Sequence, residues 1–264
     1  MSIFKKAAKD ASKTTGNLVG NMASVNAQNS TNAAVDGMDL FRWKMGTSII
    51  QNGHFDQQKG NLFEYIEAAK FNADAAGKGR SARAVVTDVY DQGAAADILI
   101  KEGGKVQKEV QAKFVKSSNK DVENSAARSV FDQAGGQKGH WGKYKGMDRL
   151  IRKDEHYNAE GSMLDEAKKL AKSRAESGSI HAEDFKDVHE HLTDELHYGD
   201  VSSGGTTFEE VQMAYESPEK YAKAFERKAV KAEMKCTAQP LSIPPHFQKK
   251  ALQNRRLPYW IISR

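Results

Sequence analysis

Asp97 opens an apolar run, Ile98-Leu99-Ile100, a Gly103-Gly104 turn follows, and Val110-Gln111-Ala112-Lys113-Phe114 reads as the returning strand. Together they form a β-hairpin with an acid at the start of one strand and a polar-x-lysine pair on the next. Gln111 and Lys113 are two residues apart, so they project from one face of a strand. A carboxylate, an amide oxygen and a nearby ammonium can hold a hard divalent cation such as Mg²⁺ or Mn²⁺ beside a fixed positive charge. Phosphodiester hydrolysis calls for that pairing, with cation and ammonium neutralising charge that builds on the phosphate. Glu64 can bring in a second carboxylate from a preceding helix.

Hairpin register decides whether the groups meet. Asp97 joins the face of Gln111 and Lys113 if the turn has an odd number of residues, such as Gly103-Gly104-Lys105. A two-residue Gly103-Gly104 turn sets Asp97 opposite Val110 and sends Lys113 to the other side, unless a bulge restores the register. Ala94-Ala95-Ala96 leaves room for a bulky ligand before Asp97. Val110, Ala112, Phe114 and Val115 interleave with the polar pair, so both faces of this strand can be buried. A lysine in such a place needs a reason. The plainer reading makes Asp97 a strand cap and Gln111 and Lys113 a solvated face.

The elements around the hairpin follow from periodicity. Gly60 to Lys70 reads as a helix with Leu62, Phe63, Ile66 and Ala69 on one face. Glu64 and Glu67 lie together on it at i, i+3. Ala84 to Tyr90 is rich in β-branched residues and reads as a strand, and the hairpin covers 96–101 and 106–115. Asp121 looks like the cap of a helix carrying Val122, Ala126 and Val130, and Met147 to Arg152 reads as a short strand. Further on, Met163, Leu164, Ala167 and Leu170 mark one helical face, and Phe185, Val188, Leu192 and Leu196 another. Thr207 to Glu210 matches a capping box, and Ser217-Pro218 an N-cap with proline at the first helical position. The helix from Pro218 is expected to bury Tyr221, Ala224, Phe225 and Ala232. The fold class read from this order is α/β (α+β), with a mixed sheet flanked by helices and a helical C-terminal half. Four regions result: a flexible arm at 1–36, an α/β core at 37–155, a helical region packed on it at 156–238, and an extended tail at 239–264.

Gly60-x-x-Phe63-Glu64 in a helix, Asp97 opening a strand and Gln111-x-Lys113 closing the hairpin resemble the PD-(D/E)xK nuclease superfamily. The pattern is most similar to the Mrr-like branch, where glutamine replaces the usual acid of the ExK element. The resemblance covers roughly residues 55 to 153, and the order helix–strand–strand–strand–helix–strand matches that superfamily's restriction-endonuclease-like core. It implies Asp97 as metal ligand, Gln111 at the variant ligand position, Lys113 as catalytic lysine and Glu64 as helix carboxylate. No proline precedes Asp97, and Glu67 competes with Glu64 for the helix role. The expected function is a metal-dependent endonuclease using Mg²⁺ or Mn²⁺, acting on DNA in a defence, mobile-element or toxin setting. The alternative is a non-catalytic nucleic-acid-binding or assembly protein that keeps the fold.

Other constellations carry less. Lys138, His140, Trp141, Lys143, Tyr144 and Lys145 alternate cations and aromatics in a glycine-rich stretch, a composition suited to phosphate contact and base stacking. No GK[ST] follows, so it is not a Walker-type loop. His181, His189, His191 and His197 lie among acidic residues without an HExxH pattern and read as a solvated helix face. A single cysteine, Cys236, excludes an intramolecular disulfide and a cysteine-based zinc site, and fits a cytoplasmic setting. Lys5 and Lys6 precede no apolar stretch, so no secretory signal is read. No run approaches the ~20 apolar residues that cross a bilayer, so no membrane partner is expected. The net charge of +5 permits nucleic-acid binding without demanding it. Homodimerisation is left open.

Overall fold

A helix of 23 residues, α1 (Phe55–Gly77), lies at the centre of the fold. The computed structural model describes residues 22, 25, 26, 28, 29, 32, 54–87, 94–114, 131, 132, 134, 142–153 and 161–238. Leu62, Phe63, Tyr65, Ile66, Ala68, Ala69, Phe71 and Ala75 of α1 are all buried. A helix that is apolar on several sides must be covered on several sides. The sheet covers one side, and α4 (Phe208–Glu216) and α5 (Pro218–Ala238) cover another. The helix read from Gly60 to Lys70 is longer than expected because the alanine-rich 73–76 stretch continues it. It ends where the Lys78 N–H bonds back to the Asp74 and Ala75 carbonyls.

Strands β1 (Arg83–Val86), β2 (Ile98–Glu102), β3 (Lys105–Lys113), β4 (Asp148–Ile151) and β5 (Leu192–Thr193) form one mixed sheet in that order. The first three are antiparallel, while β4 runs parallel to β3 and β5 parallel to β4. This is the α/β architecture expected, and β4 falls within the strand read at Met147 to Arg152. β6 (His197–Tyr198) and β7 (Val201–Ser202) make a separate two-stranded ribbon. The expected helix at Asp121, most of the arm and the 239–264 tail lie outside the described residues.

Alternation divides the sheet into two faces. Ala84, Val86, Ile98, Ile100, Val110, Ala112 and Leu150 belong to the core under α1. Ile151 and Leu192 belong to a second core with Phe131, Met163, Ala167, Phe185 and Val188, beneath the antiparallel pair α2 (Met163–Ala175) and α3 (Ala182–His191). Helices α2 and α3 contact β4 and β5. On the same face, Arg83, Val85, Leu99 and Lys101 of β1 and β2 are only half-buried. The edge strand β1 is closed by a side chain. The Asn72 amide of α1 donates to the Ala84 carbonyl at 3.0 Å and accepts from its N–H at 2.8 Å. It therefore acts as a missing neighbour strand, which blunts the edge.

Two expectations change. Leu192 and Leu196 do not continue the α3 face, because Leu192 takes extended backbone (φ −74°, ψ 128°) and pairs with Arg149 in the sheet. Among the described side chains of α5, Ala222, Phe225 and Ala229 are buried and Ala224 is exposed, while the side chain of Ala232 lies outside them. The capping box at Thr207 is half formed. Its hydroxyl accepts from the Glu210 N–H at 3.2 Å, but the Glu210 carboxylate turns to Lys70 and Tyr221 instead.

The hairpin turn is also shorter than the site required. Glu102 pairs with Lys105, so Gly103 (φ +58°) and Gly104 (φ +78°) form a two-residue turn. The register then shifts: Lys101 pairs with Val106 but Ile100 with Lys108, leaving Gln107 as an extra residue in a β-bulge. Beyond the bulge Ile98 pairs with Val110, which places Asp97 level with Gln111. Gln107 stands outside the ladder, so deleting it closes the strand pair without moving Val110 from Ile98. The deletion should cost no more than about 1 kcal/mol in urea denaturation, comparable to Gly104→Ala, which strains one left-handed position. Inserting one alanine between Glu109 and Val110 instead turns Val110 and Ala112 away from the core and should lose roughly 3 kcal/mol or more. An insertion variant as stable as the deletion would contradict the assigned register.

Candidate metal and phosphate site

The bulge delivers three of the expected residues to one face. Asp97 is held through its backbone on both sides. Its N–H donates to the Val110 carbonyl at 2.8 Å, and its carbonyl accepts from the Thr87 N–H at 2.9 Å. Its carboxylate turns towards β3, where Oδ2 accepts from the Ala112 N–H at 2.7 Å and from Gln111 Nε2 at 3.1 Å. Both hydrogen bonds fall on Oδ2, which leaves Oδ1 available to a ligand. Burial pushes the Asp97 carboxyl above the ordinary aspartate range. The Ala112 N–H, the Lys113 charge, the Gln111 amide and the Lys143 charge pull it back down. An acid in this balance gains from any further positive charge brought to it.

Lys113 stands two residues beyond Gln111, with its ammonium 5.9 Å from the centre of the Tyr144 ring. It makes no ion pair with the described residues, so its charge stays available to an incoming group. Lys143 lies 5.3 Å from the same ring. Tyr144 therefore differs from its expected role. It is buried rather than open for base stacking, and its ring bears two ammonium groups, an arrangement favoured by the ring quadrupole. Lys143 and Lys145 are exposed, as a phosphate contact requires. Lys138, His140 and Trp141 lie outside the described residues.

The two helix carboxylates separate clearly. Glu64 is half-buried and follows Phe63, whose ring meets Phe114 at 5.6 Å, just past Lys113 at the end of β3. It thus lies on the α1 side of the sheet and can approach Asp97 only around that strand end. Glu67 is fully buried and engaged elsewhere, accepting a hydrogen bond from the Ser203 hydroxyl. Burial raises its carboxyl to about 7, against the pull of the Ser203 and Thr206 hydroxyls and the Lys70 charge.

The histidines do not gather. His181 meets Asp184, His189 the Lys168 carbonyl, and His191 Asp148 at 3.3 Å. Among the described residues no three histidine, cysteine, aspartate or glutamate side chains are placed to share a metal ion. Nor is any described helix long and apolar enough to cross a membrane.

Sequence reasoning missed two buried polar centres. Arg149 on β4 pairs in register with Gln111 and forms an ion pair with Asp187 of α3 at 2.7 Å. An arginine inside a short apolar strand was the available signal. The Glu67–Ser203 bond spans 136 residues, and no local pattern announces it. Compared with protein-family models, curated proteins and solved structures, the chain matches none.

Glu67 should make stability depend on pH. Its folded-state carboxyl holds a proton more tightly than the unfolded one, so stability falls as pH rises from about 4.5 to about 7 and levels off above. Glu67→Gln should flatten the curve across that window, removing a change of order 3 kcal/mol in urea denaturation. An unchanged slope in the variant would place the proton elsewhere.

Proposed function

We propose that the chain is a divalent-metal-dependent nuclease acting at the Asp97 pocket, with DNA as its substrate. The observation that carries this reading is the convergence of Asp97, Gln111 and Lys113 on one face of a bulged hairpin. It agrees with the resemblance of these residues to the PD-(D/E)xK superfamily. A hard cation fits the Asp97 pocket, where Oδ1 stands in a desolvated setting, and Glu64, on the α1 side of the sheet, is the second carboxylate that the resemblance implies. When bound, such a cation polarises the phosphate and makes an adjacent water more acidic.

The protein's own groups supply the rest. The Ala112 N–H and the Gln111 amide fix the Asp97 carboxylate before any ligand arrives, so little reorganisation remains. Lys113, without an ion pair among the described residues and supported by Tyr144, lies where it can neutralise charge building on a phosphate or orient the attacking water. Lys143 adds a second positive charge from the 142–147 loop, at the exposed rim. The half-buried face of β1 and β2, with Arg83 and Lys101, continues from this pocket and offers cations to a phosphate backbone.

A second reading has a specific observation in its favour. Gln111 presents Nε2, a donor, to Asp97 rather than an oxygen for a cation. A non-catalytic nucleic-acid-binding protein would be content with that arrangement. Plasmid cleavage separates the two. The enzyme should cut with Mg²⁺ or Mn²⁺ and stop with a chelator, and Asp97→Ala and Lys113→Ala should each lower the rate by about 10²-fold or more. DNA binding without cutting under any divalent ion supports the second reading, and variants that cut like wild type would remove these residues from the site.

A further inference from the structure

We infer that Arg149 is a positioning residue that locks the Gln111 amide, so that Gln111 braces Asp97 instead of coordinating a cation. Arg149 on β4 lies beside Gln111 on β3, and parallel partners share a face. Both side chains are almost completely buried, at 1% and 2% exposure. The guanidinium spends Nη2 on Asp187, while its Nε and Nη1 are buried with no hydrogen-bond partner among the described residues. Gln111 spends Nε2 on Asp97, while its Oε1 is buried with no partner among them. Unused donors on one strand thus stand beside an unused acceptor on the next.

Donor and acceptor types then leave one arrangement. A guanidinium only donates, and an ionised carboxylate only accepts. Between Arg149 and Asp97, the amide is satisfied when Oε1 faces the arginine and Nε2 the aspartate. Turning the amide to offer Oε1 to a cation at Asp97 sets its NH₂ against the guanidinium and withdraws a donor from Oδ2. A single water that accepts from Arg149 and donates to Gln111 Oε1 would complete the connection. The same ion pair reaches the cationic loop. Asp187 Oδ1 accepts the Gly146 N–H at 2.9 Å, two residues after Tyr144. Arg149 and Asp187 thereby set the amide on one side and the loop bearing Lys143 on the other.

The test reads the amide directly, and only its kinetic arm rests on the nuclease reading. In the full chain, the Gln111 side-chain NH₂ resonances are identified by their loss in Gln111→Met, and their hydrogen exchange is followed by NMR. Wild type should show a protected pair, with exchange about tenfold or more faster in Arg149→Met. Arg149→Lys keeps the charge for Asp187 but not the guanidinium fork, so it should fold like wild type and still lose the protection. Unchanged exchange in both variants, or no protected pair in wild type, overturns the proposal. Saturating Mg²⁺ gives an independent check: the Gln111 NH₂ pair should stay protected, and a loss of about tenfold or more in protection shows the amide turned towards the cation and overturns the brace. If wild type cleaves DNA, Arg149→Lys should lower kcat by about tenfold with KM unchanged, as for a group acting through another. If wild type neither cuts nor binds Mn²⁺, the nuclease reading fails and the exchange result alone judges Arg149.

Discussion

The candidate site depends on one residue, Gln107, being left out of the strand pairing. A two-residue glycine turn suits the twist of a hairpin, but it sets the two strands in the register that separates Asp97 from Gln111 and Lys113. Gln107 reverses that parity in the middle of the strand pair. Before the bulge, the hairpin is an exposed arm. After it, Val110 and Ala112 enter the core under α1 and the polar pair turns to the opposite face. A single backbone irregularity therefore commits apolar residues to one side and candidate chemistry to the other. Bulges commonly re-aim side chains in this way beside functional sites.

Given that register, the polar groups can be accounted for one by one. Asp97 loses water on burial and recovers two donors, one from the backbone and one from Gln111. Lys113 and Lys143 add positive charge without contacting it as ion pairs, and both rest on Tyr144. The carboxylate is thus supported but not neutralised by a bound partner, which leaves a place for a cation. Arg149 extends the polar layer into the next strand and ties it to α3 through Asp187. On the other side of the sheet, Asn72 closes the β1 edge and Glu67 holds the 203–206 loop against α1. Both faces therefore contain buried polar groups, and among the described residues the Asp97 face sets them beside the exposed Lys143.

Much of this was legible in the sequence, for identifiable reasons. The helix around Phe63 and Ile66, the hairpin strands and the strand at Leu150 show local periodicity, and local periodicity maps directly onto buried faces. Asp97, Gln111 and Lys113 were found from residue type and spacing alone. The turn length stayed open because a bulge has no strong residue signature, so parity names both an odd turn and a bulge as routes. Leu192 was misassigned because its four-residue spacing from Val188 continues a helical pattern, whereas pairing with Arg149 in a parallel strand is a tertiary choice. Glu67 and Arg149 were out of reach for a related cause. Their partners, Ser203 and Asp187, are distant along the chain, so nothing near either residue specifies what it pairs with. Tyr144 looked like a stacking group because aromatic-cationic stretches have the same composition whether the ring faces solvent or the interior.

The most direct test of the central claim is where a divalent ion settles on the folded chain. Mn²⁺ broadens NMR signals of nearby nuclei, so a titration followed in amide spectra maps its position. The account predicts that the Asp97, Gln111 and Ala112 signals disappear first, and that Asp97→Asn abolishes the effect. Broadening centred on the His191–Asp148 side of the sheet, or an Asp97→Asn protein that responds like wild type, would contradict it.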